Sequence, residues 1–263
     1  AYVKPYVKRG KSDAADAEAI CEAVGRPTMR FVEIKSAEQQ ALLSLHRARD
    51  LIVRQRTQTV NMLRGLLAEF GHVTARNIER ATALARDIVK GDGPELPEIA
   101  QAVIASLCQQ LLLLNDKARW FTRQIAAAWR LDKRIKLLQT IPGVGPITAS
   151  AIVATVGTAD QFRGGREFAA WLGLTPLNRS SGGKERLGRI SKMGDRYLRR
   201  LLVTGMTARV RAARSRPERA DPWMIALLER KPVRLVTVAM ANKTARIIWA
   251  VLTRNEAYKP AAA

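Results

Sequence analysis

The sequence predicts a mostly α-helical protein built around a long antiparallel coiled-coil arm. Three observations carry that reading. Two long stretches repeat apolar residues on a three-four spacing, a single Gly/Pro-rich break separates them, and strand-like alternation is almost absent. The implied units are 1–36, a helical coiled-coil region at 37–130, and a C-terminal domain at 131–263.

Taken in order, the chain starts with the basic, Pro-interrupted AYVKPYVKRG. Ser12 to Val24 is Ala- and acid-rich and predicts a helix stopped by Gly25 and Pro27. Arg30 to Ile34 (RFVEI) alternates enough for a short strand. These opening residues are too few for a domain and read as the tail of one. From Ser36 a seam runs through Leu42, Leu45, Ile52, Thr59, Leu63, Leu66 and Phe70, with Arg49 and Arg56 at the intervening seam positions. A second seam runs through Val103, Leu107, Leu111, Leu114, Ala118, Phe121, Ile125 and Ala128, beyond the break at Gly91 to Pro94. Two such helices returning on each other make an arm; an ordinary helical bundle gives the same periodicity. From Leu131 short helices alternate with Gly/Pro turns. Asp195 to Arg216 predicts a very basic amphipathic helix with a phosphate-facing side (Arg196, Arg199, Arg200, Arg209, Arg211, Arg214, Arg216), and Val238 to Leu252 a packed terminal helix. Trp223, Trp249 and Tyr258 fall among apolar helical residues and read as core anchors.

The charge narrows the function. With 45 Lys and Arg against 23 Asp and Glu, the 263-residue chain carries +22. Such an excess favours steered, salt-sensitive nucleic-acid binding. Its longest uninterrupted apolar runs fall short of a bilayer span, so a membrane is the weaker partner, and no signal peptide is visible. Cys21 and Cys108 are isolated and His46 and His72 lie far from a Cys pair. That excludes a Cys/His zinc finger, a Cys-ligated iron-sulfur cluster and a disulfide framework, and suits a reducing cytoplasm.

Three constellations could carry chemistry. Ile141-Pro142-Gly143-Val144-Gly145-Pro146 precedes a helix-forming run. Gly143 and Gly145 permit a tight turn, and the helix start that follows offers free amides to a phosphate, as in a helix-hairpin-helix element. A plain interhelical turn is the alternative. Asp13 and Asp16 stand three apart, so on a helix both carboxylates reach one side and could share Mg²⁺; N-capping favours the same acids at the same place. Ser180-Ser181-Gly182-Gly183 opens Arg179 to Arg200, a stretch with eight Lys or Arg residues opposed only by Glu185 and Asp195. A serine hydroxyl there could attack a phosphodiester if a cation field eases loss of its proton, and Lys184, Arg186, Arg189, Lys192 and Arg196 could hold the phosphate. A flexible linker is the competing reading.

KSDAADAEAI, IPGVGP, FAAWLGLTP with SSGGKERLGRISKMGDRYLRR, and ANKTARIIWAVL form an ordered set across essentially the whole chain. The set resembles the DEDD-type insertion-sequence transposases, related to the Piv DNA invertase, and within them the insertion-sequence-1111 branch with its SSGGK wording. The resemblance implies an RNase H-like, resolvase-like domain with four carboxylates that bind Mg²⁺ or Mn²⁺, and a helical C-terminal transposase domain with a serine nucleophile. It also implies DNA as donor and target, a bridge RNA in some members, a homodimer or homotetramer, and a cytoplasmic, nucleoid-associated location. Asp13 and Asp16 match the third and fourth carboxylates. Ser181, followed by Gly182 and five residues after Pro176, matches the serine, with Ser180 the alternative. The family's first Asp and its Glu lie in strand sequence upstream of this motif, which begins here at Lys11. The expectation is therefore an N-terminally truncated or partial protein, weak in metal affinity and in strand exchange. Two other classes compete: a non-catalytic DNA- or RNA-binding module, and a helix-hairpin-helix DNA glycosylase using Asp160.

Overall fold

The computed structural model describes residues 3–7, 12–27, 29, 31, 34–74, 76–129, 132–179, 184 and 186–259. The chain divides into two compact units, Ala1–Lys35 and Ser36–Ala263. The protein is mostly helical, as the patterning predicts.

In the first unit a single turn of 3₁₀ helix, Lys4–Tyr6, precedes α1, Asp13–Val24. Ser12 caps α1 by accepting from the Ala15 amide at 3.1 Å. Ala19 and Ala23 are its buried side chains, and Arg26 both pairs with Glu22 and lies over the Tyr6 ring. Of the expected strand, Arg30, Val32 and Glu33 lie outside the described residues; Phe31 and Ile34 are exposed and belong to no strand.

The second unit opens with α2, Ala37–Glu69, whose start is a full capping box between Ser36 and Gln39. Next come α3, Ile78–Lys90, and α4, Glu98–Trp129. Arg49 Nε donates to Thr122 Oγ1 at 2.8 Å and Arg56 Nη1 to Asn115 Oδ1 at 2.9 Å. As the α2 position advances, the α4 position recedes by the same step, so the two helices run antiparallel. Their packing differs from a two-helix seam. Val60, Leu63 and Leu67 of α2 and Ile104, Cys108 and Leu111 of α4 form a core with Ala85 and Ile88 of α3. With a third helix in the groove, each long helix buries a stripe wider than a single seam. Phe70, Val103 and Ala128, expected in the seam, are exposed, while Val60, Leu67, Ile104 and Cys108 are buried in this core and Leu43 and His46 are buried outside it.

Midway along this pair the contacts turn polar. Arg56 and Arg64 each leave a buried Nε without a partner among the described residues, and burial, with Arg49 and Arg119, lowers the pKa of the Arg56 guanidinium. Desolvating a guanidinium is costly, so Arg56→Leu combined with Asn115→Leu should raise the thermal midpoint. Arg56→Leu alone strands the Asn115 amide and should gain less; thermal denaturation followed by circular dichroism measures both.

The main core lies further on. It is built from α5, Lys133–Gln139; α6, Pro146–Val156; α7, Gly165–Trp171; α8, Arg196–Ser215; α9, Pro222–Arg230; and α10, Val233–Arg254. The helix α6 is apolar nearly all round and buried nearly all round, so it forms the centre. Leu198, Leu202 and Met206 of α8 and Met240, Ala241 and Ile248 of α10 close over it. By length and composition α4 and α10 could each cross a membrane, yet α10 is a main wall of this core and α4 packs on α2 and α3. The boundary expected between residues 130 and 131 falls on residues outside the described set.

Two short strands, β1 (Pro176–Asn178) and β2 (Leu187–Ile190), pair antiparallel with one irregularity in register. Trp249 anchors the core as expected, donating from Nε1 to the Phe162 carbonyl at 3.2 Å. Tyr258 is half-buried, its amide donating to Thr140 Oγ1. Trp223 is not a core anchor: it is 44% exposed at the start of α9 and carries Lys243 Nζ 4.5 Å from its ring centroid. The neighbouring Met224, 1% exposed, takes the core position of this turn instead.

Candidate nucleic-acid interface and serine hairpin

In sequence, the serine turn lies between the paired strands β1 and β2. Residues 180–183, including Ser181 and its alternative Ser180, lie outside the described residues, but the neck beneath them is defined. Arg179 N donates to Arg186 O at 2.8 Å, directly above the β1–β2 pair. In sequence, the serine segment connects β1 to β2. Lys184, Arg186, Arg189, Lys192 and Arg196 are all exposed.

The root of the hairpin is clamped from both sides. Arg199 Nη1 donates to Leu172 O and to Met193 O, each at 2.8 Å, tying the segment before β1 to the segment after β2. Asn242 Nδ2 donates to Leu174 O at 3.1 Å, and Lys192 N to Gly173 O at 3.1 Å. These bonds correct part of the predicted phosphate-facing side. Arg199 spends its guanidinium on backbone carbonyls, and burial, opposed by Asp195, lowers its pKa. Arg200 pairs with Asp50 of α2 and lies over the Tyr197 ring. Asp195, read as an opposing charge, is the α8 cap and accepts from the Leu198 amide at 2.9 Å.

The Gly-Val-Gly turn joins α5 to α6. Its two glycines serve different neighbours. At Gly143, φ is +86°, and an added Cβ would lie 2.4 Å from Met206 Cε and 3.0 Å from Arg209 Cδ, so this glycine lets the turn seat on α8. At Gly145, the α6 N-cap, nothing lies within 4 Å of an added Cβ. Among the described residues neither glycine's amide meets an acceptor, and no side chain caps α6. Free amides at a helix start beside the half-buried Arg209 suit a phosphate.

In α1 Ser12 provides the cap, and Asp13 and Asp16 lie in the first turn, where the helix dipole also favours acids. Asp13 and Asp16 are both exposed in the first turn, and neither has a partner among the described residues. No cluster of three or more His, Cys, Asp or Glu suited to a metal occurs among the described residues. Two carboxylates with water and substrate phosphate are nevertheless a usual Mg²⁺ ligand set, so the pair fits that ion.

Sequence reasoning missed the joint between the long helices and the main core. His46, 1% exposed, places Nδ1 3.1 Å from the Tyr197 hydroxyl and Nε2 3.0 Å from Ser150 Oγ, and Ser150 also reaches Ile147 O. A neutral ring satisfies every group: Tyr197 donates to Nδ1, Nε2–H donates to Ser150, and Ser150 donates to the carbonyl. Burial, reinforced by Arg49, lowers the His46 pKa to about 4. The only available signal was a histidine within an apolar periodicity one residue off the assumed seam.

Comparison with known proteins fixes the family. Residues 135–222 match the model described as "Transposase IS116/IS110/IS902 family", and residues 1–72 match a second one described as "Transposase". A "Probable family 20 transposase" of Pseudomonas aeruginosa is 49% identical over 98% of this chain and 77% of its own length. The chain belongs to the IS110/IS116/IS902 family of transposases. Two further relatives are named for the elements they serve. The "Transposase for insertion sequence element IS1111A" of Coxiella burnetii is 39% identical over 98% of this chain and 71% of its own length. The counterpart for IS1328 of Yersinia enterocolitica is 37% identical over 98% and 76%. The first family match spans α5 to the start of α9, and so contains the glycine turn and the serine hairpin. Membership in a transposase family indicates a DNA-processing enzyme.

Proposed function

We propose that this protein cuts and rejoins DNA for insertion-sequence transposition, with the Ser181 hydroxyl as nucleophile. The observation that carries the reading is the β1–β2 pair that flanks the serines in sequence: it is rooted by Arg199 and Asn242 and followed or lined by exposed cations. In the proposed step Ser181 Oγ loses its proton and attacks a DNA phosphorus. A phosphoserine ester forms, the P–O3′ bond breaks, and the leaving oxygen takes a proton to become a 3′ hydroxyl. A 3′ hydroxyl of another strand then attacks the phosphoserine, joins the strands and frees the serine. Lys184, Arg186, Arg189, Lys192 and Arg196 hold the phosphate and offset its developing charge. Gly143 and Gly145 of the α5–α6 turn grip the backbone without reading sequence.

Asp13 and Asp16 would hold Mg²⁺ or Mn²⁺, which when bound supplies positive charge and lowers the pKa of an oxygen nucleophile. Within this reading residues 1–36 belong to an RNase H-like domain, 37–130 form a coiled-coil arm joining copies into a dimer or tetramer, and 131–263 form the transposase domain. A bridge RNA supplies target choice, and the protein works in the cytoplasm at the nucleoid.

The test uses protein expressed from the complete reading frame that encodes this chain. It is incubated with Mg²⁺, RNA transcribed from the element, and nicked substrates carrying the element's own ends. A covalent protein–DNA adduct stable to detergent is expected, and Ser181→Ala should abolish it. An adduct that survives the substitution would overturn the assignment.

A further inference from the structure

A second cationic surface lies on α8 and α10. The solvent face of α8 and the first turn of α10 enclose a groove of about 780 Å³. Its floor is made of small side chains on α8, among them Thr204, Thr207, Ala208 and Ser215, recurring at three- and four-residue steps on the face opposite Leu202, Met206 and Val210. Its rim carries Arg211, Arg216 and Arg234, all exposed and without an ion-pair partner among the described residues. Nearby acids do little to neutralise them: Asp221 is engaged by Lys243 at 3.1 Å, which leaves Glu218 as the single acid between Arg196 and Ala220.

We propose that this groove binds the phosphodiester backbone of a nucleic acid, independently of its sequence. The floor admits a backbone because no long side chain obstructs it, and Thr204 stands exposed there as a hydroxyl donor. Three unpaired guanidiniums on the rim match phosphates, to which each can present two parallel donors. Among the described residues no aromatic side chain lines the groove, so the proposed interaction is with the backbone. The inference rests on the reading that the protein acts on nucleic acid, and adds to it a second site that holds a strand.

The experiment measures binding of the full chain to a short DNA duplex and to an RNA hairpin by fluorescence anisotropy across a salt series. Combined Arg211→Ala, Arg216→Ala and Arg234→Ala should weaken binding uniformly across sequences. It should also reduce the slope of log affinity against log salt by about 0.9 for each phosphate that is no longer neutralised, or about 2 to 3 in total. Ala208→Glu, which places a carboxylate on the exposed floor, should weaken binding in the same direction. Weakening with one probe only identifies that nucleic acid as the occupant; weakening with both identifies their shared backbone. The control is Arg76→Ala, Arg80→Ala and Arg86→Ala, which removes the same charge from exposed positions near α3. An unchanged slope in the groove variant, or an equal decrease in the control, would overturn the proposal. Ser181→Ala should leave the slope intact. Failure of the serine chemistry and failure of the groove are therefore read in separate assays.

Discussion

Gly194→Ala is expected to cost about 3 kcal/mol or more, one part from a left-handed backbone and the other from a steric clash. The φ at Gly194 is +75°, and an added Cβ would lie 1.8 Å from the Trp171 carbonyl oxygen. Neither partner can yield easily. Trp171 ends α7, its ring packs with Phe162 and Phe168, and the next residue's carbonyl is held by Arg199. For a unit of this size the loss corresponds to a fall of roughly 6 to 12 °C in Tm, readable by calorimetry. The damage should also reach function, because Gly194 lies between the Met193 carbonyl held by Arg199 and the start of α8. At a temperature where the variant is still folded, the serine-dependent adduct should fall together with Tm. Gly145→Ala is the matched comparison. Its φ is −85° and the space beyond it is open, so the cost should stay under about 1 kcal/mol, mostly from a poorer helix cap. Backbone approach by a polyanion should suffer instead. A Gly194→Ala protein as stable as the Gly145→Ala protein would refute the clamped root.

The second large effect is a pH dependence set by His46. Its folded pKa, lowered to about 4, lies below the ordinary value of 6.5, so between those values the unfolded chain binds more protons than the native one. The resulting stability is fully present above pH 6.5 and is lost as pH falls towards 4. At 1.36 kcal/mol per unit, the loss is about 2 kcal/mol from pH 6.5 to pH 5 and about 3 kcal/mol at completion. Urea denaturation from pH 7 to pH 5 measures this slope with little interference from Asp and Glu, which ordinarily titrate lower. His46→Gln should be less stable at pH 7 and should lose most of the slope. A variant that keeps the slope would place its origin elsewhere. Since His46 of α2 bonds α6 through Ser150 and α8 through Tyr197, the acid-sensitive event is expected where the long helices meet the main core.

The legible parts of the sequence are those in which a local rule and the tertiary environment agree. Ser12 to Val24 reads as a helix because its cap, alanines and stop signals lie within one segment. The glycine turn reads as a hairpin because a tight helix-helix reversal needs such residues whatever surrounds it. The long helices were visible but their buried faces were not. The three-four spacing fits the seam through Leu42, Leu45 and Phe70 nearly as well as the wider stripe that adds Leu43, His46 and Leu67. The arrival of α3 decides it at Leu67, and the packing of α2 on α6 and α8 decides it at His46. Arg199 and Arg200 read as phosphate ligands because a guanidinium has the same donors for a backbone carbonyl, a carboxylate or a phosphate. Sequence carries the donors and not the acceptor.

By itself, the sequence determined the helical class, the strongly basic character, the ordered motifs that place the chain among the transposases, and the local turns at which those motifs sit. Each rests on composition or on neighbours within a few residues, where backbone sterics and side-chain chemistry act directly. The tertiary structure decided which cations remain free. It committed Arg199 to Leu172 and Met193, set Arg200 against Asp50, and left Arg211, Arg216 and Arg234 together around one groove. Those outcomes depend on residues far apart in the chain, whose meeting is fixed by burial of the apolar faces behind them.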